Sequence, residues 1–209
     1  MHDKILDAAL ELFAEHGIDG TSMDAIAEAA GVSKATLYSH WADKDALCIE
    51  SLERLHGLDE SPSDFDTGDL RRDLLTLLEF QPAADRVDLQ RRVLPHLMAY
   101  AARNRAFGDT WRSRVMGPPR ARIAQVLRRA IDAGELPRDL HIEMATAMLI
   151  GPLLYRNIFA KVHGGMPADM AQQVVDAFCR SYQIRRPMLG RPLRSSRRGL
   201  PKYPPSAGQ

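Results

Sequence analysis

The chain has 209 residues, of which 45% are apolar, 26% charged and only 6% aromatic, the balance of an ordinary globular protein. That length can bury a sizeable core as one large domain or two small ones, and the composition excludes a chain disordered throughout. No run approaches the roughly 18 apolar residues that a membrane helix needs, and Met1-His2-Asp3-Lys4 lacks the basic-then-apolar form of a signal peptide, so a cytoplasmic location is expected.

Ile5, Ala9, Leu12 and Phe13 fall on one helical face, which predicts a first helix ending near Gly17. Thr21 with Asp24 three residues later gives a capping-box-like start to a short second helix carrying Ile26, Ala27 and Ala30, and Gly31 ends it. Ser33 can cap a third helix whose inward residues Leu37 and Trp41 stand four apart. Asp43 can cap a longer fourth one through Leu47, Ser51 and Leu55.

Residues 57–69, GLDESPSDFDTGD, have no apolar periodicity and read as a connecting loop. Beyond it, helical patterns cover about 69–80, 88–104, 118–133, 140–162 and 167–184, separated by QPAAD, GPP at 117–119, GELP at 134–137 and GGMP at 164–167. Pro95 and Pro152 fall inside two of these patterns and are expected to kink or break them. No strand-like alternation competes. The expected fold is all-α, with a three-helix head at 1–47, a larger helical body at 48–184 and about nine helices in all. The remainder, 185–209, is rich in Pro, Gly, Ser and Arg and is expected to be a disordered or weakly attached tail.

The overall charge of +1 conceals a division along the chain. Residues 1–47 hold three Lys and nine acids, a net of −6, residues 48–184 cancel, and the tail carries +7. Cys48 and Cys179 are far apart, without a metal-ligand spacing, and read as ordinary buried thiols. The seven histidines form no HExxH, and neither a Gly-x-Ser-x-Gly nor a phosphate-cradling loop occurs, so no enzyme, metal site or cofactor is expected.

The informative spacing is Ala27, then Gly31 four residues on, then Leu37 six further. A helix-turn-helix needs a small residue where two helices cross, a turn that tolerates Gly and an apolar residue that locks the second helix, although a compact three-helix bundle can show the same spacing. The runs ILDAALELFAEHG (5–17) and GTSMDAIAEAAGVSKATLYSHWADKDAL (20–47) go further. They resemble the head of the TetR family of repressors almost continuously, most specifically in Gly31-Val32-Ser33, Thr36-Leu37-Tyr38 and Lys44.

The resemblance implies that the third helix enters the major groove of double-stranded DNA. There Lys34 can reach guanine or phosphate, Thr36 a base edge, Ala35 a thymine methyl and Ser39 a further edge. Tyr38 and His40 fall at the family's phosphate-contacting positions, and Thr21, Ser22, Ser33 and Lys44 sit at helix starts suited to phosphate. The same residues also read blandly: Thr21, Ser22 and Ser33 as caps, Tyr38 as packing, His40 and Lys44 as solvated surface groups. Many relatives carry a basic arm before the first helix. Here only Met1, His2 and Asp3 precede it, so either that contact is absent or the start lies upstream. The basic tail can compensate as a loose phosphate-binding extension, or be merely solvated.

WRSRVMGPPRARI (111–123), LRRAIDAGELPRDL (127–140) and LIGPLLYR (149–156) resemble a C-terminal domain type of the same family. This implies that the last two helices pair with those of a second copy. Met144, Met148, Gly151, Leu154 and Tyr155, with Val174 and Phe178, form apolar stripes suited to that homodimer or to an intrachain core. A small-molecule pocket is expected between the loop and this stripe, with Leu97, Tyr100, Trp111, Met116 and Leu127 as apolar candidates and His96 as a polar one, each also readable as core. The function implied is a ligand-responsive repressor on a palindromic operator. The rival is a dimeric helical module acting through protein partners.

Overall fold

The structure, a computed structural model, describes residues 1–58, 65–80, 84–159 and 167–182. The tail at 185–209 lies outside the described residues, as do 59–64, 81–83, 160–166 and 183–184.

Four helices build the head: α1 (His2–Gly20), α2 (Met23–Ala30), α3 (Lys34–His40) and α4 (Lys44–Leu55). Gly17 interrupts α1 at φ 74°, ψ 165°, where the regular helix was expected to end, and one more turn follows. The cap of α2 is Ser22, not Thr21: the Ala25 N–H donates to Ser22 Oγ at 3.1 Å. Thr21 is buried, and its hydroxyl donates to the Gly17 carbonyl at 2.8 Å, closing the end of α1 instead. Ser33 and Asp43 cap α3 and α4 as their sequence positions suggest, at 3.0 Å and 2.8 Å. The α4 helix runs through the expected head boundary at residue 47, and Leu47, Cys48, Ile49, Leu52 and Leu55 all enter the head core.

The body contains α5 (Leu70–Glu79), α6 (Ala84–Arg103), α7 (Arg105–Trp111), a π-helical turn (Arg112–Met116), α8 (Gly117–Asp132), α9 (Ile142–Phe159) and α10 (Met170–Tyr182). Helix α7 was not foreseen. It opens on Asn104, whose Oδ1 accepts from the Phe107 N–H at 3.2 Å. The Gly117-Pro118-Pro119 run does not separate two helices either. Trp111, Arg112, Met116 and Gly117 all keep right-handed helical angles, so α7, the π-turn and α8 form one rod, and the described residues contain nine rods. Two successive prolines remove donors for the preceding turn, and widening that turn to π geometry accommodates them without a break. Pro95 and Pro152 likewise lie within α6 and α9 without ending them. Pro95 is on an exposed side, where the carbonyl it leaves unbonded can reach water.

Two apolar cores organise these rods. The head core is completed by Val93, Leu97 and Ala101 of α6, with Phe107 and Val115, so α6 belongs to the head's packing as much as to the body's. The second core joins α5, α8, α9 and α10 through Leu74, Leu127, Leu149, Val175 and Phe178. Asp73, fully buried in α5, braces the edge of that core: the Thr67 N–H and hydroxyl donate to it at 3.0 Å and 2.6 Å, and Arg129 of α8 donates to both Asp73 and Asp66.

Polar ties hold the head to the body. The Tyr100 hydroxyl donates to Asp45 at 2.7 Å, Arg114 of the π-turn meets both Glu53 oxygens at 2.8 Å, and Arg92 reaches Glu11 at 3.1 Å. The exposed arginine pairs among these are worth roughly 0–1 kcal/mol each and fix orientation more than stability.

Candidate DNA-contacting surface and core cavity

The α2–turn–α3 unit depends on Gly31. Its φ of 65° and ψ of 37° lie in the left-handed region, which lets the Gly31 and Val32 N–H groups cap α2 through the Glu28 and Ala27 carbonyls at 3.0 Å and 2.9 Å. The α3 helix then turns its single buried residue, Leu37, into the head core. Trp41 follows at its end, 3% exposed, with its indole N–H donating to Glu50 at 2.6 Å. This fixes the roll of α3.

Fixing the roll determines what faces outward. Lys34, Ala35, Tyr38, Ser39 and His40 are exposed and Thr36 is half-buried, forming one continuous surface with Ser22 and Ser33 at the two helix starts. The Ser39 hydroxyl donates to the Thr36 carbonyl at 2.7 Å, and the Ser33 and Thr36 hydroxyls lie 2.8 Å apart. Lys34 pairs with Asp24 of α2 at 2.6 Å, and that hydrogen bond and the carboxylate's charge raise the ammonium above the usual lysine range. His40 packs its ring beside Trp41 and His2, with centroids 5.4 Å and 5.8 Å apart.

Two of the expected phosphate contacts are turned inward. Thr21 closes α1, as described. Lys44 donates to the Ile18 and Thr21 carbonyls at 2.6 Å and 2.9 Å, tying the start of α4 to the end of α1. A buried hydroxyl and an ammonium already bonded to two carbonyls serve the shape of the head before any contact outside it.

In the body, the C-cap of α4 together with α5, α6, α7, the π-turn, α8 and α9 line a cavity of about 240 Å³. Leu77, Leu94, Met98, Ile123, Ile150 and Leu153 make its apolar wall, and His56, Gln90, Arg91 and Arg120 supply polar groups. Trp111 and Met116, two of the six candidates, line it. The other four candidates lie elsewhere. Leu97 belongs to the head core and Leu127 to the body core, each at most 1% exposed, and Tyr100 is turned to Asp45. His96 is exposed beside Gly17, where a Cβ would come within 3.1 Å of its Nδ1. No sequence pattern marks the wall residues, because seven elements contribute one to four side chains each. Leu77 and Leu94 are conventional apolar positions until the fold brings them together.

His56 is the polar wall residue that sequence reasoning missed. It is the C-cap of α4, and its Nδ1 lies 2.8 Å from the Leu52 carbonyl. Burial lowers its pKa below the usual imidazole range, against the opposing effect of that hydrogen bond. The Trp111 indole N–H, on another part of the wall, is buried without a partner among the described residues.

On α9, Met144, Met148 and Tyr155 are 61%, 43% and 43% exposed, and Gly151 lies on the same face. Leu154 and Val174 are half-buried. Phe178 is 4% exposed and packs within the chain's own second core.

An all-helical protein with a rigidly seated, outward-facing α3 and a cavity-bearing helical body belongs to the class of helix-turn-helix regulators. The comparisons are specific. Residues 5–50 match the model of the bacterial regulatory proteins of the tetR family, and residues 64–178 match that of the tetracyclin repressor-like C-terminal domain. The chain is 32% identical over 159 residues to the uncharacterized HTH-type transcriptional regulator YdeS of Bacillus subtilis, covering 74% of this chain and 77% of that one. It is 30% identical to the DNA-binding transcriptional repressor TetR of Mycobacteroides abscessus, covering 69% and 77%. A crystal structure of a TetR-family regulator from Rhodococcus sp. shares its fold with a TM-score of 0.69 at 22% identity, over 86% of this chain and 97% of that one. The chain belongs to the TetR family of transcriptional regulators, DNA-binding proteins and not enzymes. No helix of the described residues is long and apolar enough to cross a membrane.

Proposed function

We propose that the chain is a repressor that binds a palindromic operator as a homodimer and leaves it when a small, largely apolar molecule enters the body cavity. The observation that carries this reading is the fixed roll of α3: Leu37 and Trp41 are buried, and Lys34, Ala35, Thr36, Tyr38, Ser39 and His40 stand on the open side. Lys34, Ala35, Thr36 and Ser39 are the base-reading candidates, and Tyr38, His40, Ser22 and Ser33 hold phosphates, with Thr21 and Lys44 fixing the frame behind them. Lys34 must exchange Asp24 for DNA, so the acidic head binds through a few placed contacts and is a weak nonspecific binder.

The second copy is supported by α9. Met144, Met148, Gly151 and Tyr155 recur at helical spacing on one exposed face, an apolar stripe that a monomer would leave in water. Phe178, being within the chain's own core, supports that face from behind. Two heads then reach half-sites one or more helical turns apart, which gives the specificity that one short α3 cannot. The cavity touches His56, the C-cap of α4, so a ligand that prefers one α4 position shifts the spacing of the heads by its differential affinity.

Selection of bound duplexes from a random pool by the purified full chain tests the proposal. An enriched inverted repeat, with a dimer in sedimentation, is the expected result. Absence of any enriched sequence would overturn the operator reading, and a monomer bound to single half-sites would overturn the dimer.

A further inference from the structure

The charged groups around the cavity are of one sign. Arg91 and Arg120 line it, no Asp or Glu does so among the described residues, and burial keeps His56 neutral at neutral pH. Arg120 is committed to Glu143, whose carboxylate accepts its N–H at 2.6 Å. Arg91 stands at the exposed rim and has no oxygen partner among the described residues.

A second space adjoins the first at this rim. It is a groove between the end of α5, α6, α9 and the start of α10, and Leu78 and Arg91 line both spaces. Arg156 of α9 lines the groove as well. Among the half-buried arginines of the described residues, Arg54, Arg86, Arg92 and Arg129 each donate to an oxygen, and Arg122 and Arg156 do not. Arg156 differs from Arg122 in that its Nε is buried as well as unpartnered, so part of the guanidinium has lost water with nothing to offset the cost. Its two terminal nitrogens are neither buried nor bonded, and these are the donors it can offer to the groove.

Glu79 is the one carboxylate lining the groove among the described residues, and it pairs with neither arginine. Two cations against one anion leave a single positive charge. A cationic occupant would meet that excess as repulsion, and a neutral one would leave both guanidinium groups unpaired. A carboxylate presents two coplanar oxygens that match the guanidinium fork, and its hydrogen bonds are charge-assisted.

We infer that the occupant is an apolar monocarboxylate: its hydrocarbon part lies in the cavity against Leu94, Ile123 and Leu153, and its carboxylate accepts hydrogen bonds at the rim from Arg91, with Arg156 as the second cation. The inference rests on the proposed ligand role of the cavity and names the class of ligand. Arg91 belongs to α6, which also carries Val93 and Leu97 into the head core, so the carboxylate is held by a helix that body and head share.

The test uses the purified full chain and titration calorimetry with three probes that share one alkyl chain: octanoate, octan-1-ol and octylammonium. Wild type should bind octanoate roughly tenfold more tightly than octan-1-ol, the worth of a charge-assisted hydrogen bond, and octylammonium least. Arg91→Gln and Arg156→Gln should each weaken octanoate several-fold and leave octan-1-ol unchanged. Arg91→Lys should keep part of the preference, and Glu79→Gln should tighten octanoate. Octan-1-ol or octylammonium binding as tightly as octanoate would overturn the anionic class. A preference for octanoate untouched by Arg156→Gln would overturn the part of Arg156, and one untouched by both substitutions would overturn the placement of the carboxylate. Binding of none of the three by wild type would overturn the ligand role of the cavity itself, an outcome distinct from binding without preference. Should Arg156→Gln fail to fold, Arg91→Gln and Glu79→Gln, both at exposed positions, decide the placement.

Discussion

The head and the body treat buried polar groups differently. In the head, the buried Thr21 and Ser51 hydroxyls both donate to backbone carbonyls, at 2.8 Å. In the body, Trp111 Nε1, Thr146 Oγ1 and Arg156 Nε are buried without partners among the described residues, and the cavity lies there too. A head that must present α3 in one orientation gains from complete satisfaction, since each contact removes an alternative roll. The proposed ligand role asks for unfilled volume in the body, while Asp73 and the second core give the body a packed frame beside it.

The contrast can be broken first at Leu37. Leu37→Ala should cost about 3–4 kcal/mol, because a fully packed site cannot collapse around the void, and DNA binding should fail with it. A chemical denaturation midpoint close to wild type would show that the head is looser than its packing implies.

Asp73→Ala should cost roughly 2–3 kcal/mol, since Thr67 and Arg129 lose a buried acceptor while Arg129 keeps Asp66. Burial alone would push the Asp73 carboxyl upward, but the hydrogen bonds from Thr67 and Arg129 outweigh it and hold the pKa below the usual range. A depressed folded value contributes stability above the ordinary carboxylate pKa of about 4 and loses it as pH falls through the folded value. Unfolding curves from pH about 6 to about 3 should therefore converge for wild type and Asp73→Ala. Parallel curves would remove the charged state of Asp73 from the account.

Filling the cavity sharpens the comparison from the other side. Leu153→Phe should change stability by less than about 1.5 kcal/mol, because there is space to enter, whereas added methylenes in a filled core cost about 1–3 kcal/mol. A large loss of stability would mean that the space is not available to a side chain.

The smallest effect is expected at Asp24→Asn, which frees Lys34 and removes an acid from the DNA-facing side. Operator affinity should rise several-fold at low salt, an exposed pair being worth about 0–1 kcal/mol, with fold stability unchanged. Unchanged affinity would indicate that Lys34 does not reach the nucleic acid.

The four head helices were legible because their signals are local. Ser33, Gly31 and Asp43 act on their own turns, and Leu37 and Trp41 follow from helical spacing. The misplaced cap at Thr21 shows the limit of such reading. Thr21 and Ser22 offer the same hydroxyl one residue apart, and only the return of α1 past Gly17 decides which is buried. Helix α7 and the rod through Pro118 and Pro119 escaped for a related reason: proline reads as a helix break, while a π-turn absorbing two of them is seated by packing against α4.

The sequence alone thus determined the all-helical class, the family and the outward face of α3, all of which depend on interactions within a turn or two of chain. The tertiary structure decided what no window of sequence contains. It turned Lys44 and Thr21 inward, took Leu97 and Leu127 into cores, and placed His56 on the cavity wall with Nδ1 committed to Leu52. A cavity is the space that several distant elements fail to fill, and its chemistry emerges only when their positions are fixed together.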